Sequence, residues 1–407
     1  MNIRKSLYVA SPIAGTAVYA GPQCYLDNVG GELIESIRLE AQNNQRAEKG
    51  GAAYYCRQLY RRKSLDNGKT WKIVGDIYEE DPLDKTMDHP FTPSCFRDEA
   101  SGNLYSVFST QCYGSDKGRE AFSDAGITHK RRIWWQLSKD KGVTWTAPQV
   151  LRHCGPDYDD IHWGPELHYG KNGGLASQEQ FPVLADGTMI FPITVDLEDG
   201  KCYQCVVLRG HWTPARDAID WEFGDYISMR PDQSSQGCCE PMPAALDDGR
   251  LFLSLRCCGD WENKTFPSLK YWVLSEDGGR TFSAPRPLTY EDGAPVWSPS
   301  SYVGIIRSSV DKKYYYIGNI LDKPTYDSQP RHPLCIAELL PDKGALVRGS
   351  VTVIDDVTAD APYQRRYTNF GFYEDRVTKE IVLTLPEQPK TSWEDFTADC
   401  YRYHISL

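Results

Sequence analysis

The chain has 407 residues and a net charge of −11, with 11 Trp, 25 Tyr, 13 Phe, 33 Gly and 26 Pro. The acidic balance speaks against nucleic acid as a partner, although a local arginine cluster would still admit an acidic small molecule. No apolar run reaches the ~20 residues of a membrane-spanning helix, and the frequent aromatics, Gly and Pro point to an all-β protein with many turns.

The first residues, Met1 to Ala10, have a basic start and only a short apolar run, which makes a poor signal peptide. The expectation is a cytoplasmic protein, or a secreted or periplasmic one whose leader has been removed. Six turns then follow along the chain, each opening an apolar strand. Asn28–Gly31 precedes Leu33–Arg38, Asp98–Gly102 precedes Leu104–Ser109, and Asp186-Gly187 precedes Met189–Val195. Asp248-Gly249 precedes Leu251–Arg256, Ser309–Lys312 precedes Tyr314–Ile320, and Asp375–Thr378 precedes Ile381–Leu385. The last run, Cys400–Leu407, is expected to close a ring by pairing with N-terminal residues such as Ser6–Val9.

Between these hairpins one octapeptide recurs: Ser64-Leu-Asp66-Asn-Gly68-Lys-Thr70-Trp71, then Ser138 to Trp145, then Ser275 to Phe282. The pattern is S-x-D-x-G-x-T-(W/F). The Asp carboxylate can accept from the N–H groups of its own turn, Gly allows φ > 0, and Thr with the aromatic leads back into a strand. Asp66 and Asp140 are 74 residues apart, and Asp140 and Asp277 are 137 apart, close to twice that. Degenerate copies are read at Asp220-Trp221 and at Pro341 to Gly344. A unit of ~70 residues divides the chain into about six. Two stacked sandwiches would not explain this period. The predicted architecture is a six-bladed β-propeller of four-stranded antiparallel blades, one domain over 1–407, closed so that sheet edges an open array would expose are protected.

The thirteen cysteines are scattered and odd in number, so mostly reduced, buried thiols are expected. Cys202-Tyr-Gln-Cys205 has no second ligand pair near it, and no metal or other cofactor is predicted.

The octapeptides resemble the Asp-box (BNR repeat) of the sialidase, or neuraminidase, superfamily. Propeller topology puts the starts of innermost strands and the ends of their hairpin partners on one face, which is the expected ligand face. Starts offer Gln23, His89, Glu179, Glu240, Trp297 and Tyr367; ends offer Arg38, Thr110, Asp196, Arg256, Asn319 and Glu387. The segment from Glu240 to Arg256 resembles the sialidase stretch in which Glu and Arg, sixteen residues apart, flank an L-x-D-G-x-L hairpin. The resemblance implies that Glu240 polarises a tyrosine nucleophile and that Arg256 belongs to a triad gripping the substrate carboxylate, which suits a planar guanidinium. It likewise implies a triad role for Arg331 and the nucleophile role for Tyr367, with Arg365 and Arg366 candidates for lowering its pKa.

Two positions depart from the family. The first innermost strand reads Tyr19-Ala-Gly-Pro22-Gln23-Cys24, without the family's arginine, a place Arg38 could fill from the neighbouring strand. The loop 39–55, where the family carries an acid/base Asp, holds only Glu40 and Glu48. His89 or Glu48 is therefore the candidate donor of the leaving-group proton. A second His-rich loop, His162-Trp163-Gly164 with Glu166 and His168, precedes the third unit and is a candidate for contact with the substrate. The leading expectation is an exo-acting glycoside hydrolase releasing a terminal acidic sugar from a glycan. Three alternatives stay open: a uronate lyase using histidine and tyrosine, a neutral-sugar exo-glycosidase using Glu179 with Glu240, and a non-catalytic glycan-binding propeller. No oligomeric state is predicted.

Overall fold

A computed structural model describes residues 1–42, 54–79, 88–112, 131–176, 182–197, 202–358, 361, 365–388 and 396–407. The chain begins with β1 (Asn2–Val9). Blade one is β2 (Thr16–Tyr25), β3 (Leu33–Gln42), β4 (Tyr54–Ser64) and β5 (Lys72–Glu79). Blade two is β6 (Asp88–Arg97), β7 (Leu104–Cys112), β8 (Arg131–Ser138) and β9 (Gln149–Val150). A two-stranded insertion, β10 (His162–Gly164) with β11 (Leu167–His168), leads into blade three. That blade is β12 (Gly173–Ala176), β13 (Met189–Asp196), β14 (Tyr203–Trp212) and β15 (Ile219–Phe223). Blade four is β16 (Cys238–Ala245), β17 (Leu251–Cys257), β18 (Lys270–Ser275) and β19 (Arg286–Pro287).

Blade five is more elaborate. The short β20 (Thr289–Tyr290) precedes β21 (Gly304–Arg307), β22 (Tyr314–Asn319), β23 (Leu334–Leu340), β24 (Ala345–Leu346) and β25 (Thr352–Asp355). Its core order is β21-β22-β23-β25, while β24 caps the end of β23 and pairs in parallel with β20. Blade six is β26 (Gly371–Glu374), β27 (Ile381–Pro386) and β28 (Cys400–Ser406), completed by β1 as its outermost strand. The pairing Ser6↔Arg402, Leu7↔Tyr401 and Val9↔Cys400 is the closure expected from the sequence. The blades meet in cyclic order: β2 packs on β6, β12 on β8, β16 on β13, β21 on β16, β26 on β21 and β2 on β26. The protein is thus a six-bladed antiparallel propeller, and a 3-10 turn at Arg348–Ser350 is the single helical element among the described residues. No helix there is long and apolar enough to cross a membrane.

Second strands such as Met189–Asp196 are buried at every residue, as expected of strands clasped between neighbouring blades. The three octapeptides adopt one geometry. In the first, Thr70 N–H and hydroxyl donate to the two Asp66 oxygens at 2.8 and 2.7 Å, and Gly68 N–H donates to Ser64 Oγ at 2.8 Å. Asp140 and Asp277 repeat the two threonine bonds with Thr144 and Thr281. The Thr70 contacts hold the Asp66 carboxyl down at about 2.

The degenerate copies fare differently. Pro341 to Gly344 is a turn between β23 and β24, with Gly344 N–H donating to Pro341 O. Gly344 has φ +56, and a Cβ there would lie 1.9 Å from the Trp272 ring, so no side chain fits. Asp220-Trp221 is instead strand. Trp221 pairs with Gly210 inside β15, and the actual turn is the preceding Thr213 to Ala218. Trp221 is 1% exposed, so its aromatic character reflects core packing and not a turn.

The innermost strands of blades one to four begin earlier than the sequence implied, and those of blades five and six begin later, at Gly304 and Gly371 and not at Trp297 and Tyr367. β2 starts at Thr16, so Tyr19 lies opposite Arg38, while Gln23 lies further down, opposite Glu35. The innermost strands β2, β6 and β16 all bulge, between Ala20 and Gln23, Phe91 and Ser94, and Cys239 and Met242. Each bulge contains a proline: Pro22, Pro93 and Pro241. Proline has no N–H for the ladder, so it is accommodated where the ladder is interrupted.

Candidate functional site

Glu240 sits on the β16 bulge with φ 46, just before Pro241. Its N–H donates to Thr194 Oγ1 of blade three at 2.9 Å, which fixes the backbone. Register places Cys239 opposite Arg256, and the bulge turns the next side chain toward the same guanidinium. Arg256 Nη1 donates to Glu240 Oε1 at 2.7 Å. Glu240 Oε2 is buried and has no hydrogen-bond partner. Burial is the largest single influence on the Arg256 pKa and lowers it, but the Glu240 charge, the neighbouring Cys239 and the Glu240 hydrogen bond together outweigh it and hold the guanidinium above its ordinary value.

Arg256 Nε donates to Ser300 Oγ at 3.0 Å. Arg331, in the loop before β23, reaches the same residue: its Nη2 donates to Ser300 O at 3.4 Å, and its Nε to Ser328 O at 2.9 Å. Two guanidiniums from blades four and five therefore face Ser300. Behind them, Ser301 Oγ bonds Asn319 Oδ1 at 2.9 Å, and Asn319 Nδ2 donates to the carbonyls of Pro333 and Tyr367 at 3.1 and 3.2 Å. Tyr367 N–H donates to Arg331 O at 2.9 Å. One network thus joins Glu240, Arg256, Arg331 and the Tyr367 backbone.

The Tyr367 phenol is directed elsewhere. Its hydroxyl donates to Asp356 O at 3.0 Å, and the residue is 1% exposed. Burial, then the charges of Asp355 and Glu387, push it up to about 12, with Arg365 opposing. The sequence expected Glu240 to polarise this phenol. In the structure Glu240 is bonded to Arg256, and the carboxylates that act on Tyr367 are Asp355 and Glu387. Glu387, just after β27 of blade six, was among the strand-end residues that the hairpin pattern offered, whereas Asp355 ends β25 of blade five, an outer strand that the pattern did not reach.

The other predicted residues scatter. Arg38 is in blade one, bonded to Glu40 at 3.0 Å and lying over the Tyr19 ring at 4.7 Å. Burial pushes the Glu40 carboxyl up, and Arg38 opposes it. Trp297 is half-buried and bridges Leu269 and Leu321, just before the Ser298–Ser301 segment. His162 is half-buried in the insertion, stacked on His168 with ring centres 4.3 Å apart, its Nδ1 3.0 Å from Asp157 O. Trp163 is 1% exposed and packs edge-on against Phe223, so its ring belongs to the core and offers no face to a ligand. His89 is placed by its backbone alone, in β6 opposite Gln111. Glu48 and Glu179 lie outside the described residues.

Sequence reasoning missed Ser300 and Lys270. The former lies in Trp297-Ser-Pro-Ser-Ser301, only three residues from a position already singled out. The latter is a lone lysine opening the apolar strand β18, opposite Arg256. Among the described residues no group of three His, Cys, Asp or Glu side chains could hold a metal ion.

No protein-family model matches the chain, and no curated protein matches it by sequence. Solved structures do. A protein of unknown function from Dyadobacter fermentans is 14% identical, with 99% of each chain covered and a TM-score of 0.62. The NanB sialidase from Streptococcus pneumoniae is 14% identical, over 98% of this chain and 70% of that one, with a TM-score of 0.61. The Trypanosoma rangeli sialidase, solved in complex with sialic acid, is 10% identical, over 100% of this chain and 59% of that one, with a TM-score of 0.61. The chain has the six-bladed propeller fold of the sialidase superfamily.

Proposed function

We propose that this protein is a glycoside hydrolase that removes a terminal acidic sugar from a glycan. The observation that carries the reading is the convergence of Arg256 and Arg331 on Ser300, with Glu240 against one of them. Two planar guanidiniums suit a sugar carboxylate, which each can meet with paired N–H donors. Arg38 is the third candidate cation. Solved structures of the same fold include sialidases, one of them holding sialic acid, which supports the substrate class.

In this reading the arginines hold the carboxylate while positive charge develops at the anomeric carbon. Tyr367 attacks that carbon as Glu240 takes the phenol proton, and water then releases the sugar. For that step the phenol must leave Asp356 O and turn toward Glu240, whose Oε2 is the available acceptor. His89 or Glu48 protonates the leaving group. Glu179, Trp297 and His162 contact the remaining sugar.

A second reading, binding without turnover, is favoured by one observation: the Tyr367 hydroxyl is engaged and its pKa is raised. Hydrolysis of 4-methylumbelliferyl sialosides and uronides separates the two. The first reading expects turnover by the wild type, and expects Glu240→Gln to lower kcat by about 10²-fold or more at similar affinity. Saturable binding of acidic sugars with no turnover would replace it by the second.

A further inference from the structure

Lys270 is fully buried at 0% exposure and stands directly opposite Arg256 in the β17–β18 ladder. Its Nζ donates to two backbone carbonyls, Pro299 O and Ser301 O, both at 2.6 Å. The residue between those carbonyls is Ser300. Its Oγ accepts from Arg256, its carbonyl accepts from Arg331, and its N–H donates to Asp327 O at 2.8 Å. A single buried amine therefore pins both ends of a three-residue strap whose middle residue touches both guanidiniums.

Holding an amine there is costly. Burial pushes its pKa down to about 7; Arg256 adds to this, Glu240 and Cys257 oppose it, and Arg331 adds again. An apolar side chain of similar volume would fill the space without that cost. It would not fix two carbonyls that point at one spot. Arg256 offers five N–H groups, and its bonds to Glu240 and Ser300 occupy two of them. The strap thus orients the guanidinium by one edge and leaves donors for a ligand.

We infer that Lys270 is a positioning residue: by pinning the Pro299–Ser301 strap it sets the mutual orientation of Arg256 and Arg331, and so the preference of the site for a carboxylate over a neutral group. The inference rests on the reading of these arginines as a carboxylate clamp. Its test compares the affinity of N-acetylneuraminic acid with that of its neutral methyl ester by titration calorimetry. Wild type should prefer the acid by about tenfold or more, and Arg256→Gln should abolish the preference. Lys270→Met should cut the preference about tenfold through the acid alone, with the ester affinity within about twofold of wild type.

A lysine that only stabilised the fold would weaken both ligands equally, and that result overturns the inference. So does an unchanged preference in a folded Lys270→Met protein, while the clamp reading survives if Arg256→Gln still abolishes the preference. No preference in the wild type overturns the clamp reading and this inference with it. Should Lys270→Met lack a cooperative unfolding transition, Ser300→Gly decides. Loss of the acid preference supports the strap, and its retention refutes it.

Discussion

The Glu240–Arg256 pair can be tested without any ligand, by a double-mutant cycle of Glu240→Gln and Arg256→Gln. The N–O separation is 2.7 Å, and the side chains are 18% and 20% exposed. Charge centres about 4 Å apart interact by about 4 kcal/mol at an effective dielectric of ~20. Contact with solvent over a fifth of each group lowers this, and the expected coupling is about 2–3 kcal/mol. Exposed pairs give about 0–1 kcal/mol. Arg256→Gln also loses the Ser300 bond, but it does so in both arms of the cycle, so that loss cancels. Urea unfolding of the four proteins at pH 7 and about 0.1 M salt measures the coupling. A value below about 0.5 kcal/mol would mean that the two groups do not share a partly dry site, and the proposed chemistry would lose its central pair.

Lys270 predicts a dependence of stability on pH. Its folded pKa, about 7, is below the unfolded value of 10.5, so between those pH values the unfolded chain carries a proton that the folded chain lacks. Stability therefore rises with pH across that window, by about 1.4 kcal/mol per unit at most. Wild type should gain up to about 3 kcal/mol over Lys270→Met between pH 7 and 9.5 in urea unfolding. Parallel curves would refute the buried amine. Lys5 predicts a latch at the ring closure. Its ammonium on β1 bonds Asp355 of blade five at 2.7 Å and also Glu387 at the end of β27. Lys5→Met leaves two half-buried carboxylates facing each other and should cost about 1–3 kcal/mol, with partial recovery in the double variant Lys5→Met/Asp355→Asn. Thermal unfolding reads both, and a double variant no more stable than the single one would refute the latch.

The sequence by itself determined the ring. Turn chemistry at Asp98–Gly102 or Asp248-Gly249 is local, and so is the hydrogen bonding of Asp66 to its own turn, so six hairpins and a ~70-residue period were legible without coordinates. The Glu240–Arg256 contact was legible for the same reason, since one hairpin carries both residues. Trp221 misled because an aromatic beside an Asp looks alike in a turn and in a core strand. Gln23 misled because a bulge at Gly21-Pro22 moves the register in a way that propensity does not reveal.

Only the tertiary structure decided how the blades' ends meet. Ser300 joins Arg256 to Arg331 from the segment between β20 and β21 of blade five. Lys270 holds that segment from inside blade four, and Asn319 ties it to Tyr367 in blade six. These contacts span different blades, and their geometry depends on how the blades pack around the axis. No spacing along the chain encodes that distance, which is why the sequence could name the arginines but not the strap between them.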